Sequence, residues 1–408
     1  QSYGQLRYML SNAPNYAYAY LPFSSSNNNV GTSSDRAGDI HLNPSFDSNF
    51  DTNGFQRGPG WHGFMTLIHE TGHALGLKHP GNYSSTDEPP FLPYEEDNTT
   101  NTLMTYNLTG YSASSPMLYD IKALQYIYGA RQNNNGNTNY IFNTVDLYSI
   151  GGELSHNGNR RTKQTVWDSG GVDTFDFSNL AFDSLGYRFD LNQGGISTKR
   201  SAYNTTSYQA TGDSSGTNYF TSGYGTVIAF DVVIENLINT TSNDYIIANS
   251  AANSFSGYDT GILTGNDTLE GTNSLDTLDL SSYSISNVTQ TQNVNDLVID
   301  LGSNGSVTIT DYYAVPQSDR INILFAHSNS STIGETGSIS NLTHTARTIN
   351  LDRTYQNPVV FAQPLSFNGS APATVRLSNI TSDSFTIQIQ EPNNEDCTHA
   401  ADNLCFMV

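Results

Sequence analysis

Three histidines and a glutamate stand in an order that metal-assisted hydrolysis needs: His69, Glu70, His73 and His79, in the run H-E-x-x-H-x-x-G-x-x-H. On a helix, His69 and His73 are four residues apart and share one face, so both imidazoles reach a single ion. Glu70 flanks His69 and is free to address a water at the metal instead of the metal itself. Gly76 takes a positive φ without steric cost, so the chain turns there and returns His79 as third ligand. Three protein ligands leave one position open, which marks a catalytic zinc rather than a structural one. Five fixed residues in eleven arise by chance on the order of 10⁻⁶ to 10⁻⁷ per position at average residue usage. The plainer account is an amphipathic helix whose histidines share a face by accident, and the length of the motif weighs against it.

Downstream, Leu103, Met104, Thr105 and Tyr106 follow an acidic, Asn/Thr-rich stretch at 94–102. Met104 offers the histidines a soft, apolar floor; without the histidine motif it would read as plain core. Tyr106 places a phenol where it touches either the metal or a reacting carbonyl oxygen. The extended zinc motif followed by such a methionine turn resembles the metzincins. More of the chain is similar to one branch of that clan, the serralysin-type secreted metalloproteases. The matching segments are Ala17-Tyr-Ala-Tyr-Leu-Pro22, Ala37-Gly-Asp-Ile-His-Leu-Asn-Pro44, Thr66-Leu-Ile-His-Glu70, His79-Pro-Gly-Asn82, 120–130 and 167–178. With gaps, the resemblance runs from residue 1 to about 335. It implies a zinc endopeptidase acting on proteins or peptides outside the cell, with Glu70 as general base and Tyr106 assisting the oxyanion.

These residues need elements to position them. A helix over 61–75, preceded by Gly58, Pro59 and Gly60, would carry the first two histidines, with Phe64, Leu67, Ile68 and Leu75 on its core side. A second helix reads from Asp120 to Tyr128, with an acid at its start and Gly129 just past its end. Residues 37–42 read as a strand, which the resemblance places at the edge of the cleft, where substrate backbone adds by β-pairing. His41 on that strand reads as a rim or solvent residue, not a metal ligand.

Composition fits an exported protein that uses calcium. The 408 residues hold 38 acidic against 16 basic side chains, for a formal charge of −22. That excess argues against nucleic acid or an anionic membrane surface as partner. It suits Ca²⁺, whose ligands are carboxylates and carbonyls, and it also serves solubility. Hydrophobic residues make up 36% and charged ones 13%, a loop- and β-rich balance rather than that of a helical bundle. No run of 18 apolar residues spans a membrane. With no signal peptide, the sequence reads as a mature form or a fragment. Only some 60 residues precede the motif helix, so the front of a metzincin-like domain reads as incomplete.

From 131 to 335 the pattern changes to short β-runs between Gly, Asn, Asp and Ser turns. A nine-residue beat links Asn243-Asp244-Tyr245-Ile246 to Ala252-Asn253-Ser254-Phe255, and a similar run at 265–269 to one at 275–278. These resemble degraded G-G-x-G-x-D repeats of calcium-binding β-rolls. Most paired glycines are missing and 258–263 interrupts the beat, so two readings stay open: one or two Ca²⁺ ions in these turns, or a metal-free solenoid. The better calcium candidate is Asp168-Ser-Gly170-Gly171-Val-Asp173, two carboxylates and two glycines in one compact loop. In the serralysin resemblance this loop joins the catalytic and roll domains through calcium. The opposing family loop, R-x-G-x-T, corresponds to 134–138, where Asn134 replaces the arginine; Gly136 and Thr138 remain as ligands, and Glu235 corresponds to a further acidic one.

Residues 336–408 read as successive strands, at 346–353, 358–364, 373–379, 384–390 and 404–408, separated by turns such as Asn368-Gly369. The module resembles an H-type-lectin-like β-sandwich, which implies either a glycan or cell-surface ligand, or a spacer or assembly role. Cys397 and Cys405, eight apart, suit a small disulfide loop in an oxidising compartment. The expectation is thus a multidomain α+β protein. A metzincin-like catalytic domain (1–130) is followed by a parallel β-roll-like domain (131–335) and a C-terminal β-sandwich (336–408). The competing reading is a non-catalytic extracellular structural or adhesive protein on the same scaffold.

Overall fold

Three short strands, β1 (Arg7–Leu10), β2 (Ala17–Ala19) and β3 (Asp39–Leu42), form one sheet in the order β1-β3-β2. β1 runs parallel to β3 and β2 antiparallel to it. The predicted strand at 37–42 is therefore present but central. The edge that lines the cleft is β2. Ile40, Leu42, Phe55 and Ala74 form the core between this sheet and that helix. The computed structural model describes residues 6–22, 36–326, 334–364, 366, 368, 372–392 and 400–408. Within it the chain divides into two units, Gln1–Ala326 and His327–Val408.

The motif helix α1 spans His62–Ala74 and the second helix α2 spans Leu118–Tyr128. Of the expected core side of α1, Leu67 and Ile68 pack against apolar clusters, whereas Phe64 and Leu75 join none of them. Met65, Thr66 and Glu70 are buried, while Phe64, Leu67, Ile68 and Leu75 are half-buried. The physical reason is that α1 is covered on more than one side. Leu67 packs toward the sheet, and Met65 and Ile68 pack with Leu77, Leu103, Met104 and Met117. That second cluster also takes in Ile196 and Val227 from the β-rich part of the unit, so both regions share apolar packing.

Beyond α2 the unit is a stack of coils. Strands Thr174–Asp176, Asn236–Ile238, Ser254–Ser256, Thr277–Leu280 and Asn322–Phe325 pair in parallel along one sheet. Tyr187–Asp190, Tyr245–Ile247, Gly265–Glu270 and Gly305–Ile309 do so along another. One core lies between them, including Phe175, Phe189, Leu237, Ile246, Phe255, Leu269, Leu278 and Val307. Asn236 pairs with Ser254, two nine-residue beats on. Ser254 pairs with Thr277, five residues further than two beats, and the extra chain is the 258–263 interruption.

In the second unit, strands Thr336–Leu342, Asp402–Met407 and Phe361–Pro364 form one antiparallel sheet, and Arg347–Asn350, Ser384–Gln390 and Thr374–Ser378 another. Alternate residues of both face one cluster, with Ile339, Leu404 and Phe406 from the first and Phe385, Ile387 and Ile389 from the second. Cys397 lies outside the described residues, and with it the expected Cys397–Cys405 bridge. No helix among the described residues is long and apolar enough to cross a membrane.

Candidate metal centre

α1 ends in a way that returns the chain to its own face. The Leu77 N–H donates to the Gly72 carbonyl at 2.9 Å and the Gly76 N–H to that of His73 at 2.9 Å. Gly76 sits at φ +101°. This is the double C-terminal hydrogen bond that a left-handed glycine permits. It brings His79 beside the two helical histidines, with its Nε2 3.0 Å from His73 Nε2 and 3.3 Å from His69 Nε2. Among the described residues, this is the group of three such side chains whose ligand atoms lie within 4.8 Å of one another.

The ring orientation is set from outside the trio. His69 Nδ1 donates to the Leu103 carbonyl and His73 Nδ1 to the Leu77 carbonyl, both at 2.8 Å. A carbonyl only accepts, so each Nδ1 carries the proton and each Nε2 presents a lone pair to the centre. Burial, with the neighbouring His73, holds His69 down to about 3. Burial and His73 likewise hold His79 down to about 4, and burial lowers His73. The three rings are therefore neutral at pH 7. A tetrahedron of nitrogens at the zinc distance of about 2.0–2.1 Å has edges of about 3.3 Å. The observed separations fit that donor set.

Glu70 is buried on the cleft floor, and its Oε2 has no hydrogen-bond partner. Burial pushes its carboxyl up to about 7. Tyr106 lies over His79, ring centroids 4.2 Å apart, and stacks on Tyr83 at 4.7 Å. The Tyr106 side chain is about half exposed and faces the same cleft, a cavity of about 860 Å³. Tyr16, Ala17, Tyr18 and Ala19 wall it on one side, and Thr105, Tyr106 and Leu108 on the other. Hydrogen bonds from Asn43 N to Tyr16 O and from Tyr20 N to Asp39 O fix the phase of β2 against β3. By alternation, the N–H and C=O groups of Ala17 and Ala19 face away from β3. His41 stacks on Tyr18 at 4.7 Å and is not one of the clustered histidines.

Two buried acids that the sequence did not single out for this site hold its second layer. Asp97 accepts hydrogen bonds from Tyr83 Oη (2.6 Å), Thr105 Oγ1 (2.6 Å) and Asn107 Nδ2 (2.9 Å). It therefore fixes the turn that carries Tyr106. Asp120, read from sequence as a helix start, is the third residue of α2. It accepts from Leu103 N, Thr102 Oγ1 and Met117 N at 2.6–2.8 Å. It therefore orients the Leu103 peptide whose carbonyl holds His69. Met104 is buried, with its sulfur against Gly72 of α1.

A second acidic cluster lies at the Asp168–Asp173 loop. Gly170 and Gly171 have φ of +133° and +145°, and a Cβ at Gly171 would lie 2.6 Å from the Gly136 carbonyl. The loops at 133–138 and 168–173 thus meet backbone to backbone. Asp173 Oδ1 accepts from Thr138 N (2.8 Å), and Glu235 Oε2 accepts from Asp173 N (2.7 Å). Asp168 accepts from Tyr140 Oη and Gly170 N. Asp173 Oδ2 is buried without a partner. Burial, then the charges of Asp168 and Glu235, push Asp173 up to about 6. A buried, unpartnered carboxylate oxygen is the kind of ligand a hard cation takes, although the oxygens of Asp168, Asp173 and Glu235 do not converge within 4.8 Å as the histidine nitrogens do.

No family model matches the chain. It is 33% identical over 255 residues to a serralysin of Photorhabdus laumondii, covering 58% of this chain and 45% of that protein. It is 35% identical over 209 residues to a serralysin of Proteus mirabilis (48% and 37%) and 32% over 256 residues to metalloprotease AprA of Pseudomonas entomophila (58% and 45%). The chain spans less than half the length of these curated relatives. Over the part it shares with them, the chain is similar to serralysins.

Proposed function

We propose that the chain is an exported zinc endopeptidase that hydrolyses peptide bonds in proteins. The carrying observation is the trio of His69, His73 and His79 Nε2 atoms, with the partnerless Glu70 carboxylate on the same cleft floor. The three histidines would hold the ion. When bound, zinc supplies Lewis-acid polarisation of a carbonyl and makes water more acidic. An extended substrate would pair its backbone with the free Ala17 and Ala19 edge of β2. Glu70 takes a proton from the attacking water and passes it to the leaving amine. The Tyr106 hydroxyl donates a hydrogen bond to the developing oxyanion. The Tyr83 stack and the Asp97-held turn keep that phenol at the cleft. The proposal also assigns a calcium ion to Asp168, Asp173 and Glu235, with backbone ligands at Gly136, Thr138, Gly170 and Gly171. The C-terminal unit is an appended β-module whose ligand, glycan or otherwise, the cleft chemistry does not require.

The test is a casein-cleavage assay on the purified chain, with metal content measured alongside. Cleavage abolished by a chelator and restored by zinc supports the reading. Stoichiometric zinc without any cleavage favours the structural or adhesive one.

A further inference from the structure

The coil stack carries acids where calcium-binding β-rolls carry them, but the structure uses those acids differently. Register places Tyr187, Asp244, Asp267 and Val307 in one column across four parallel strands. The Tyr187 N–H donates to Asp244 Oδ1 at 2.8 Å, and the Asp244 N–H donates to Asp267 Oδ1 at 2.7 Å. The other oxygens are also taken: Asp244 Oδ2 by Thr240 Oγ1, and Asp267 Oδ2 by Asn239 Nδ2 at 2.6 Å. Each carboxylate thus accepts the backbone amide of the preceding coil.

The opposite sheet repeats the device. Its column is Thr138, Asp173, Glu235, Asn253, Asp276 and Ile321. Asp276 Oδ1 accepts the Asn253 N–H at 2.8 Å, and its Oδ2 accepts the Asn273 N–H at 2.7 Å. Asn253 Nδ2 donates to the Ile234 and Glu235 carbonyls. Both columns end in buried aliphatic residues, Val307 and Ile321, where no acid is present. Asp244, Asp267 and Asp276 are each at most 1% exposed.

We infer that this stack is held by a carboxylate-to-amide ladder in place of calcium, and that the turns carrying Asp244, Asp267 and Asp276 bind no Ca²⁺. An N–H donor within 2.8 Å occupies the carboxylate oxygen and directs its positive end toward the space a cation would need. Calcium takes roughly six to eight oxygens. Beside Asp267 the buried Asn239 Oδ1 lacks a partner, and a single neutral oxygen falls far short of that number. The Asp173 rung differs in one respect: its Oδ2 is buried and left without a partner, with the charges of Asp168 and Glu235 acting on the same carboxyl. Among the rungs of the ladder, this leaves the Asp168–Asp173 loop as the place for calcium. Of the two readings the turn sequences left open, the metal-free one follows. It does not depend on the protease assignment.

The test uses the full chain. Bound calcium is counted by elemental analysis after equilibrium dialysis, and Tm is measured with and without EGTA, for the wild type, the double variant Asp168→Asn/Asp173→Asn, and Asp276→Ala. The double variant is expected to bind no calcium and to show the same Tm in EGTA as in Ca²⁺. Asp276→Ala is expected to lower Tm equally in both conditions while keeping the wild-type calcium count, which covers the case where the double variant does not fold. Calcium retained by the double variant, or lost from Asp276→Ala, overturns the inference. A wild type that binds none supports the ladder and sinks only the calcium assignment at Asp168–Asp173.

Discussion

Gly72 lies against Met104: a Cβ at residue 72 would sit 2.6 Å from the Met104 sulfur. The middle of the histidine motif is thus pressed onto the Met104 turn, and a bare Cα is what allows the approach. Gly72→Ala should destabilise the chain by about 1–3 kcal/mol through overpacking, read from the urea midpoint. Adding Met104→Ala, which removes the opposing sulfur, should make the alanine at 72 less harmful than it is in the wild-type background.

Asp120 acts on the histidine trio through a peptide. Its carboxylate receives the Leu103 N–H, and the Leu103 carbonyl receives the His69 proton. Asp120→Asn places an amide donor where three donors already point. The expected result is a stability loss of about 1–3 kcal/mol and zinc affinity weakened about 10–100-fold, measured by chelator competition.

Tyr106 and Tyr83 differ in what they face. Tyr106 opens onto the cleft, whereas the Tyr83 hydroxyl is committed to Asp97. Tyr106→Phe should lower kcat about 10²-fold or more with KM and zinc content little changed. Tyr83→Phe keeps the ring stack and should lower kcat less while costing more stability.

Lys163 is fully buried, with its Nζ donating to Thr99 Oγ1 and to the Thr109 carbonyl and hydroxyl. Burial lowers it from its usual 10.5 to about 7. Between those values the unfolded chain binds more protons than the folded one, so stability rises with pH across that window. Below pH 7 both states are protonated and the full penalty of the buried charge is present. From about pH 6.5 to about pH 9 the gain should be about 2 kcal/mol. Subtracting the Lys163→Met profile isolates it from other titrating groups, and equal profiles would contradict the assignment.

The sequence made the first layer of the centre readable because its ligands are chemically distinctive and close in the chain. His69, His73 and His79 come together and Glu70 and Tyr106 line the same cleft, while Met104 is buried against Gly72 of α1 and does not line it. The second layer was not readable: Asp97 and Asp120 act through hydrogen bonds to Tyr83, Thr105 and Leu103, contacts that depend on how loops pack. The cleft edge was placed at 37–42 by the resemblance, whereas pairing makes that strand central and leaves the three-residue β2, Ala-Tyr-Ala, at the edge. In the coil stack, the nine-residue beat revealed the parallel topology. The fate of its acids was hidden, because an aspartate that binds an amide and one that binds a cation look alike in a sequence.

The most direct test of the central claim compares the wild type with Glu70→Gln at equal, measured zinc content in a casein assay. The substitution keeps the size of the side chain and removes its proton-accepting charge. The account predicts identical zinc occupancy and a loss of cleavage of about 10²–10⁴-fold. Cleavage by the variant at the wild-type rate, or a zinc-loaded wild type that cleaves nothing, would contradict it.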